Sequence, residues 1–318
     1  MSVLMVIDAG DPDPVGVAAR LMGAVRGLEA AVSVLVVGVN SREVACGLAR
    51  LAGIREVIHA HHPAQRVPPE DLAQLVVELA AGFDHLVATA GSFGAELMPR
   101  IGGILRVSPV TGVVEMRGPE TFVRSMHAGR IMAVVRTRAR PVVLTVQPWA
   151  FAPVPLENVA VTVRQGPDAP TLGWSASVDF RPSNDQGNGD LSTARVVVAG
   201  GAGLEKEGSF ASVERLARVL GGAVGASRGA VDAGLAPAER QIGQTGRIIA
   251  PEVYIALGIS GAVQHLAGVK EAGCLVSINI DPQAPMALVA DLALTGDLHT
   301  AVPALIEALQ SAAHPSSL

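Results

Sequence analysis

RVVVAGGAGLEKEG, residues 195–208, decides the fold. Four apolar residues in a row, 196–199, with no polar residue among them, describe a strand covered on both faces, as parallel strands inside α/β domains are. Gly200, Gly201 and Gly203 follow at once and lead into a helix expected over 209–220. Backbone N–H groups in such a turn can approach a phosphate. The spacing is not GxGxxG, so the turn taken alone is equally a tight strand-to-helix connection that needs glycine conformations. Downstream the alternation continues, with strands expected at 223–226, 253–257 and 275–280 and a short helix at 262–267.

The first half of the chain has the same grammar. Strand-like runs at 3–7, 32–39, 57–60 and 85–89 alternate with helical stretches at 14–28, 43–51, 69–81 and 93–105. From about residue 111 the pattern becomes strand, turn, strand, and 121–126, 129–136 and 142–146 are expected to extend the same sheet. Between 165 and 193 periodicity gives way to Pro, Gly, Asp, Asn and Ser, as in RPSNDQGNGDLS, the composition of a surface connection. The sequence therefore predicts two α/β domains, each a mainly parallel sheet flanked by helices. Residues 1–190 form an N-terminal Rossmann-like domain with a β-rich extension and include the linker at about 165–193. Residues 194–318 form a second Rossmann-like domain.

Composition removes several function classes. The 318 residues are 49% apolar and include only two Trp, one Tyr and six Phe, which suits small-residue packing on parallel strands rather than an aromatic nucleic-acid platform. A net charge of −5 without a basic run offers no field for polyanions, so nucleic acid is not an expected partner. The opening MSVLMVIDAGDPD lacks the basic flank and longer apolar stretch of a secretory signal. Every apolar run is interrupted well short of the ~20 residues of a membrane span, so no membrane insertion and a cytoplasmic setting are expected. Cys46 and Cys274 are expected to be reduced core thiols in separate domains. His59, His61 and His62 are expected in one polar loop without further ligands, which leaves no metal site. No GxSxG elbow, Walker lysine or carboxylate pair supplies a catalytic frame.

Polar residues collect instead at the carboxyl ends of the C-terminal strands, where open α/β sheets bind ligands. Ser227 and Arg228 follow the strand 223–226, and the arginine would stabilise an anionic group there, although a solvated arginine serves that position equally well. Gln244 and Thr245 stand between two glycines. Ser260 and Gly261 open a short helix carrying His265, which by itself suits a core histidine better than a ligand contact. Asn279, Asp281 and Asp297 close later strands, where Asn and Asp are ordinary turn formers.

At these residues the sequence resembles the electron transfer flavoprotein alpha-subunit family. GASRGAVDAG, IGQTGRIIAPEVYIALGISGAVQHLAG and INIDPQAPMALVADLALTGDL match the family's signature region. ATAGSFGAELMPRIGGILRVSPVTGVV and ETFVRSMHAGR extend the match into the first half. The resemblance implies a heterodimer with FAD in the C-terminal domain and a beta subunit, commonly carrying AMP, against the N-terminal one. Carried over by motif, Ser227 and Arg228 would lie at the flavin, the guanidinium raising its potential. Ile242, Gly243, Gln244 and Thr245 would meet the ribityl chain and flavin edge. Ser260, Gly261, Ala262, Val263 and Gln264 would line the cofactor, and His265 would bond the pyrimidine end. Asn279, Asp297 and the backbone of Leu298 would meet the adenosine half. Many relatives have Arg where this chain has Ala202, so a phosphate-side contact is expected to be missing, with Lys206 near enough in sequence to compensate. The resemblance implies an electron carrier, not an enzyme with its own substrate, that takes electrons from acyl-CoA or related flavin dehydrogenases and passes them to a quinone reductase or another acceptor. An electron-bifurcating, NADH-oxidising relative with a second FAD in beta is the alternative. A nicotinamide-dependent dehydrogenase is a further one, disfavoured by the missing GxGxxG.

Overall fold

The computed structural model describes residues 1–64, 66–126, 131–175, 191, 194–204, 209–269 and 272–313. The chain divides into two compact units, Met1–Phe180 and Arg181–Leu318.

In the first unit, β1 (Ser2–Asp8), β2 (Ala31–Val37), β3 (Ile54–Ala60) and β4 (His85–Thr89) alternate with α1 (Pro14–Val25), α2 (Ser41–Leu48), α3 (Pro69–Ala80) and α4 (Ser92–Leu105). Then come β5 (Val110–Met116), β6 (Thr121–Met126), β7 (Ile131–Arg136), β8 (Val142–Val146) and β9 (Thr162–Gln165). They make one sheet in the order β7-β6-β5-β8-β4-β1-β2-β3-β9. Only the β5–β6 and β6–β7 pairs are antiparallel, so the expected β-rich stretch does extend the same sheet. The apolar run of β1 is unbroken because both faces are covered: Val3, Met5 and Ile7 enter one core, Leu4 and Val6 the other. α1 starts where Asp13 accepts a hydrogen bond from the Gly16 N–H (2.8 Å) with Pro14 in the first turn. Both tryptophans belong to this unit, Trp149 in a single 3₁₀ turn and Trp174 largely exposed.

Three expectations are corrected by the structure. Residues 166–175, read as the start of the linker, are fastened to the first unit: Gly166 N–H donates to His59 O (2.8 Å) and Leu172 N–H to Asp71 Oδ1 (2.9 Å). Ala169 is buried, and the Ser175 hydroxyl bonds Glu70. The composition is that of a loop, but its backbone groups find partners on α3 and β3 instead of water. The middle of the predicted linker, 176–190, and Lys206 lie outside the described residues. The three histidines do not share a polar loop either. His59 is in β3, and His62 is buried beside Asp71, Nε2 to Oδ2 3.1 Å, while its Nδ1 accepts from the Ala64 N–H (3.1 Å). That acceptance puts the ring proton on Nε2, which donates to the carboxylate. Cys46, expected in the core, is exposed on α2, and Cys274 is half-buried.

In the second unit, β10 (Val196–Gly200), β11 (Ala223–Ala226), β12 (Val253–Leu257), β13 (Cys274–Asn279) and β14 (Leu292–Thr295) are joined through α5 (Ser209–Val219), α6 (Arg228–Asp232), α7 (Val263–Leu266) and α8 (Pro285–Val289), and α9 (Leu298–Ala313) follows β14. The sheet order is β11-β10-β12-β13-β14 and every pair is parallel. Numbered within the unit, this is 2-1-3-4-5. The winding reverses between β10 and β12 and leaves a crevice at their carboxyl ends. No described helix is long and apolar enough to cross a membrane.

Candidate functional site

The carboxyl ends of β10, β11, β12 and β13 open onto one cleft of about 590 Å³, within the size range of small-molecule sites. Its floor is the switch point itself. The turns after β10 and β12 meet backbone to backbone: Gly201 N–H donates to Leu257 O (2.8 Å) and Gly203 N–H to Gly258 O (3.2 Å). A Cβ on Gly201 would stand 2.0 Å from the Gly258 carbonyl oxygen, and Gly258 has φ +63°. Glycine is required at both positions, once for space and once for conformation. The side chain of Leu298 packs beneath this floor, its Cδ1 2.9 Å from where a Gly258 Cβ would be, and does not line the cleft.

One wall is the end of β11. Ser227 caps α6, its Oγ accepting from the Ala230 N–H (3.2 Å). Arg228, next in the chain, is exposed and pairs with Asp232 one turn on (3.4 Å), a solvated contact worth little. A loop tied back on itself continues the wall. Ile242 N–H donates to Ala226 O (2.9 Å), Gln241 Nε2 to Thr245 Oγ1 (2.9 Å), and Gln244 N–H to Gln264 O (2.8 Å). The opposite wall is the stretch from Ser260 through α7. At the far end Asn279 donates through Nδ2 to Ile259 O (3.0 Å) and accepts at Oδ1 from the Asp281 N–H (3.1 Å). Its amide therefore holds two loops in register.

His265 is the one cleft residue with a strongly perturbed titration. It is buried, Nε2 lies 2.8 Å from the Tyr254 hydroxyl, and Nδ1 has no hydrogen-bond partner among the described residues. Burial pulls its pKa down to about 4, opposed only by the nearby Ile242 carbonyl. The ring is neutral near pH 7. Tyr254 is fully buried, and desolvation pushes its phenol well above the usual range, so the hydroxyl keeps its proton. Above pH ~6.5 folded and unfolded chains both hold the His265 ring neutral. As the pH falls from there towards 4 only the unfolded chain takes up the proton, so stability drops. Between pH 7 and 5.5 His265 is expected to cost about 1 kcal/mol. Urea unfolding of wild type and His265→Gln at both pH values checks this, since the difference in slope belongs to this ring; parallel pH dependences would refute it.

Of the cofactor residues singled out by the resemblance, all but Val263, Asp297 and Leu298 line this cleft, and of the three glycines that end and follow β10 only Gly203 does. Val263 is exposed on α7. Asp297 uses its carboxylate to accept from the His299 N–H (3.0 Å) at the start of α9, the turn-forming role open to it from the outset. Sequence reading missed Gln241, Ile259 and Ala284 in the lining, and Tyr254 behind it. A glutamine two residues from a glycine turn was a legible signal; the tyrosine in mid-strand gave none. Ala202 does line the cleft.

A parallel sheet ordered 2-1-3-4-5 with a cleft at its switch point places the chain among the doubly wound α/β proteins, which bind ligands, nucleotide cofactors among them, at that point. The comparisons narrow this. Residues 4–170 match the electron transfer flavoprotein domain and residues 190–270 the electron transfer flavoprotein FAD-binding domain. The electron transfer flavoprotein subunit alpha of Pseudomonas aeruginosa is 37% identical over 97% of this chain and all of its own length. That of Paracoccus denitrificans is 38% identical over 90% and 92%. A probable mitochondrial electron transfer flavoprotein subunit alpha of Caenorhabditis elegans is 41% identical over 87% and 84%. The chain belongs to the electron transfer flavoprotein alpha-subunit family, and its cofactor is FAD. The residues present fit that cofactor: a buried ring nitrogen without a partner, a floor of backbone that a Cβ would fill, and walls of hydroxyl and amide groups.

Proposed function

We propose that this chain is the FAD-holding half of a heterodimeric electron carrier, paired with a beta subunit that carries AMP. It accepts electrons from flavin dehydrogenases of the acyl-CoA type and delivers them to a quinone reductase or a comparable acceptor. The observation that supports this is the chemistry of the cleft. Its walls offer hydroxyl and amide groups, one imidazole held neutral, one exposed arginine and the Asp281 carboxylate. FAD, when bound, supplies reversible electron uptake and release, and the protein supplies position and electrostatics. Ser227 and the loop carrying Gln244 and Thr245 orient the cofactor along the β11 wall. Arg228 places positive charge at the rim, where it favours a reduced, more anionic flavin. The cleft-wall stretch from Ser260 to Gln264 lines the cofactor's length, Asn279 keeps the far end open to the adenosine half, and His265 serves the flavin's pyrimidine end.

Co-expression with the beta subunit, followed by cofactor quantification and an NADH titration, tests the reading. One FAD and one AMP per heterodimer with no bleaching by NADH is expected. Two FAD with rapid bleaching would make the protein a bifurcating enzyme. A colourless heterodimer that FAD cannot restore would overturn the carrier assignment.

A further inference from the structure

The least explained group around the cleft is Tyr254. It is the chain's only tyrosine, is the second residue of β12, and is fully buried, yet among the described residues its hydroxyl has a single hydrogen-bond partner, His265 Nε2 at 2.8 Å. The two rings are tilted at 45° with centroids 6.1 Å apart, so the contact runs between polar edges instead of stacked faces.

Two proton arrangements are open to the pair. In one, the phenol donates to Nε2 and the ring proton sits on Nδ1, a nitrogen without a hydrogen-bond partner among the described residues, with the Ile242 carbonyl near the ring. In the other, Nε2–H donates to the phenol oxygen. The phenol proton is then left in a fully buried place without a described acceptor. A buried donor without a partner is costly, and Tyr254 lies behind the cleft wall where no ligand reaches its proton, whereas His265 lines the cleft and can offer Nδ1–H to one. The first arrangement is therefore the favoured one.

We propose that Tyr254 is a positioning residue that fixes His265 as its Nδ1–H tautomer, so that the imidazole meets the cofactor as a neutral hydrogen-bond donor. The proposal rests on the reading that His265 serves the flavin's pyrimidine end. A donor fixed there before binding favours the reduced cofactor, whose pyrimidine oxygens carry more negative charge, without placing a cation in the cleft. The tautomer of such a ring is set by the bond its other nitrogen makes, and here that bond comes from a phenol whose proton burial retains.

Tyr254→Phe removes the hydroxyl and keeps the ring. In the heterodimer with ¹⁵N-histidine in this chain alone, the His265 resonances are identified by their loss in His265→Asn, and long-range ¹H–¹⁵N correlations report which nitrogen bears the proton. The wild type is expected to show Nδ1–H alone, and Tyr254→Phe a mixture. The same variant is expected to keep its FAD and to hold reduced relative to oxidised flavin about tenfold less well, a fall of about 30 mV in the two-electron potential. Nε2–H in the wild type would overturn the proposal, as would an unchanged tautomer in the variant. A changed tautomer with an unchanged potential would also overturn it, because the tyrosine would then act on the ring without acting on the cofactor. Should Tyr254→Phe fail to fold, the wild-type tautomer still decides. Should the wild type hold no FAD, the carrier reading fails while the tautomer measurement still stands or falls by itself.

Discussion

Gly201→Ala is expected to leave a heterodimer that purifies with little or no FAD and a C-terminal unit weaker by 3 kcal/mol or more. The added methyl would lie 2.0 Å from the Gly258 carbonyl oxygen and 2.5 Å from its carbon. Those atoms are backbone, so relief requires moving one turn away from the other. Gly258 holds φ +63° and its N–H is tied to Ile278 O, so that turn has little room to yield. Overpacking a tight site costs about 1–3 kcal/mol where side chains can adjust, and more where only main chain can. The same displacement breaks the Gly201 N–H bond to Leu257 O and the Gly203 N–H bond to Gly258 O, which form the cleft floor. FAD content from visible absorbance and the urea midpoint of the C-terminal unit read the result; full FAD with an unchanged midpoint would refute it. Gly203→Ala is the graded comparison. Its Cβ would be 3.0 Å from the same oxygen, and a milder loss is expected.

Asp71→Ala is expected to destabilise the N-terminal unit by about 3–5 kcal/mol. Asp71 is 1% exposed and takes two hydrogen bonds, one from His62 Nε2 and one from the Leu172 N–H. Truncation leaves a buried imidazole N–H and a backbone N–H together without an acceptor, and each costs about 1–3 kcal/mol. Residues 166–175 lose one of the anchors that hold them to α3, so amide exchange at Leu172 should accelerate by several orders of magnitude while exchange in β10 stays as in the wild type. Asp71→Asn is the informative partner, since its carbonyl oxygen can still accept from one of the two donors and about half the loss should return. Protection at Leu172 unchanged in Asp71→Ala would show that this bond does not hold the segment.

These two sites differ in how far the sequence reveals them. Parallel strands such as β1, β10 and β12 are legible because each is a run of apolar residues too short for a membrane and without a polar face, and the run 196–199 ending in glycines is a strand end under any reading. The cleft follows from that, since polar residues after successive parallel strands share one edge of the sheet. The partners across the fold are not legible. His62 and Asp71 are nine residues apart, but Leu172 is another hundred on, in a Pro- and Gly-rich stretch whose composition matches an unattached loop. β9 is hidden for the same reason: a four-residue edge strand carries too few side chains to set a period. α6 is a five-residue helix recognisable only through its Ser227 cap. Asp297 and His265 show the same limit from opposite sides. Both had an ordinary structural alternative, and only distances separate the turn former from the buried ring that faces a tyrosine eleven residues upstream.

The placement of the two tryptophans has a practical side. Trp149 and Trp174 both belong to the unit that ends at Phe180, and the unit that holds the cofactor cleft has none. Ultraviolet emission excited at the indole band therefore originates in the first unit, and the yellow of the bound isoalloxazine originates in the second. The protein carries two built-in dyes of separate colour, one for each half, and a single cuvette can follow the melting of both without a label.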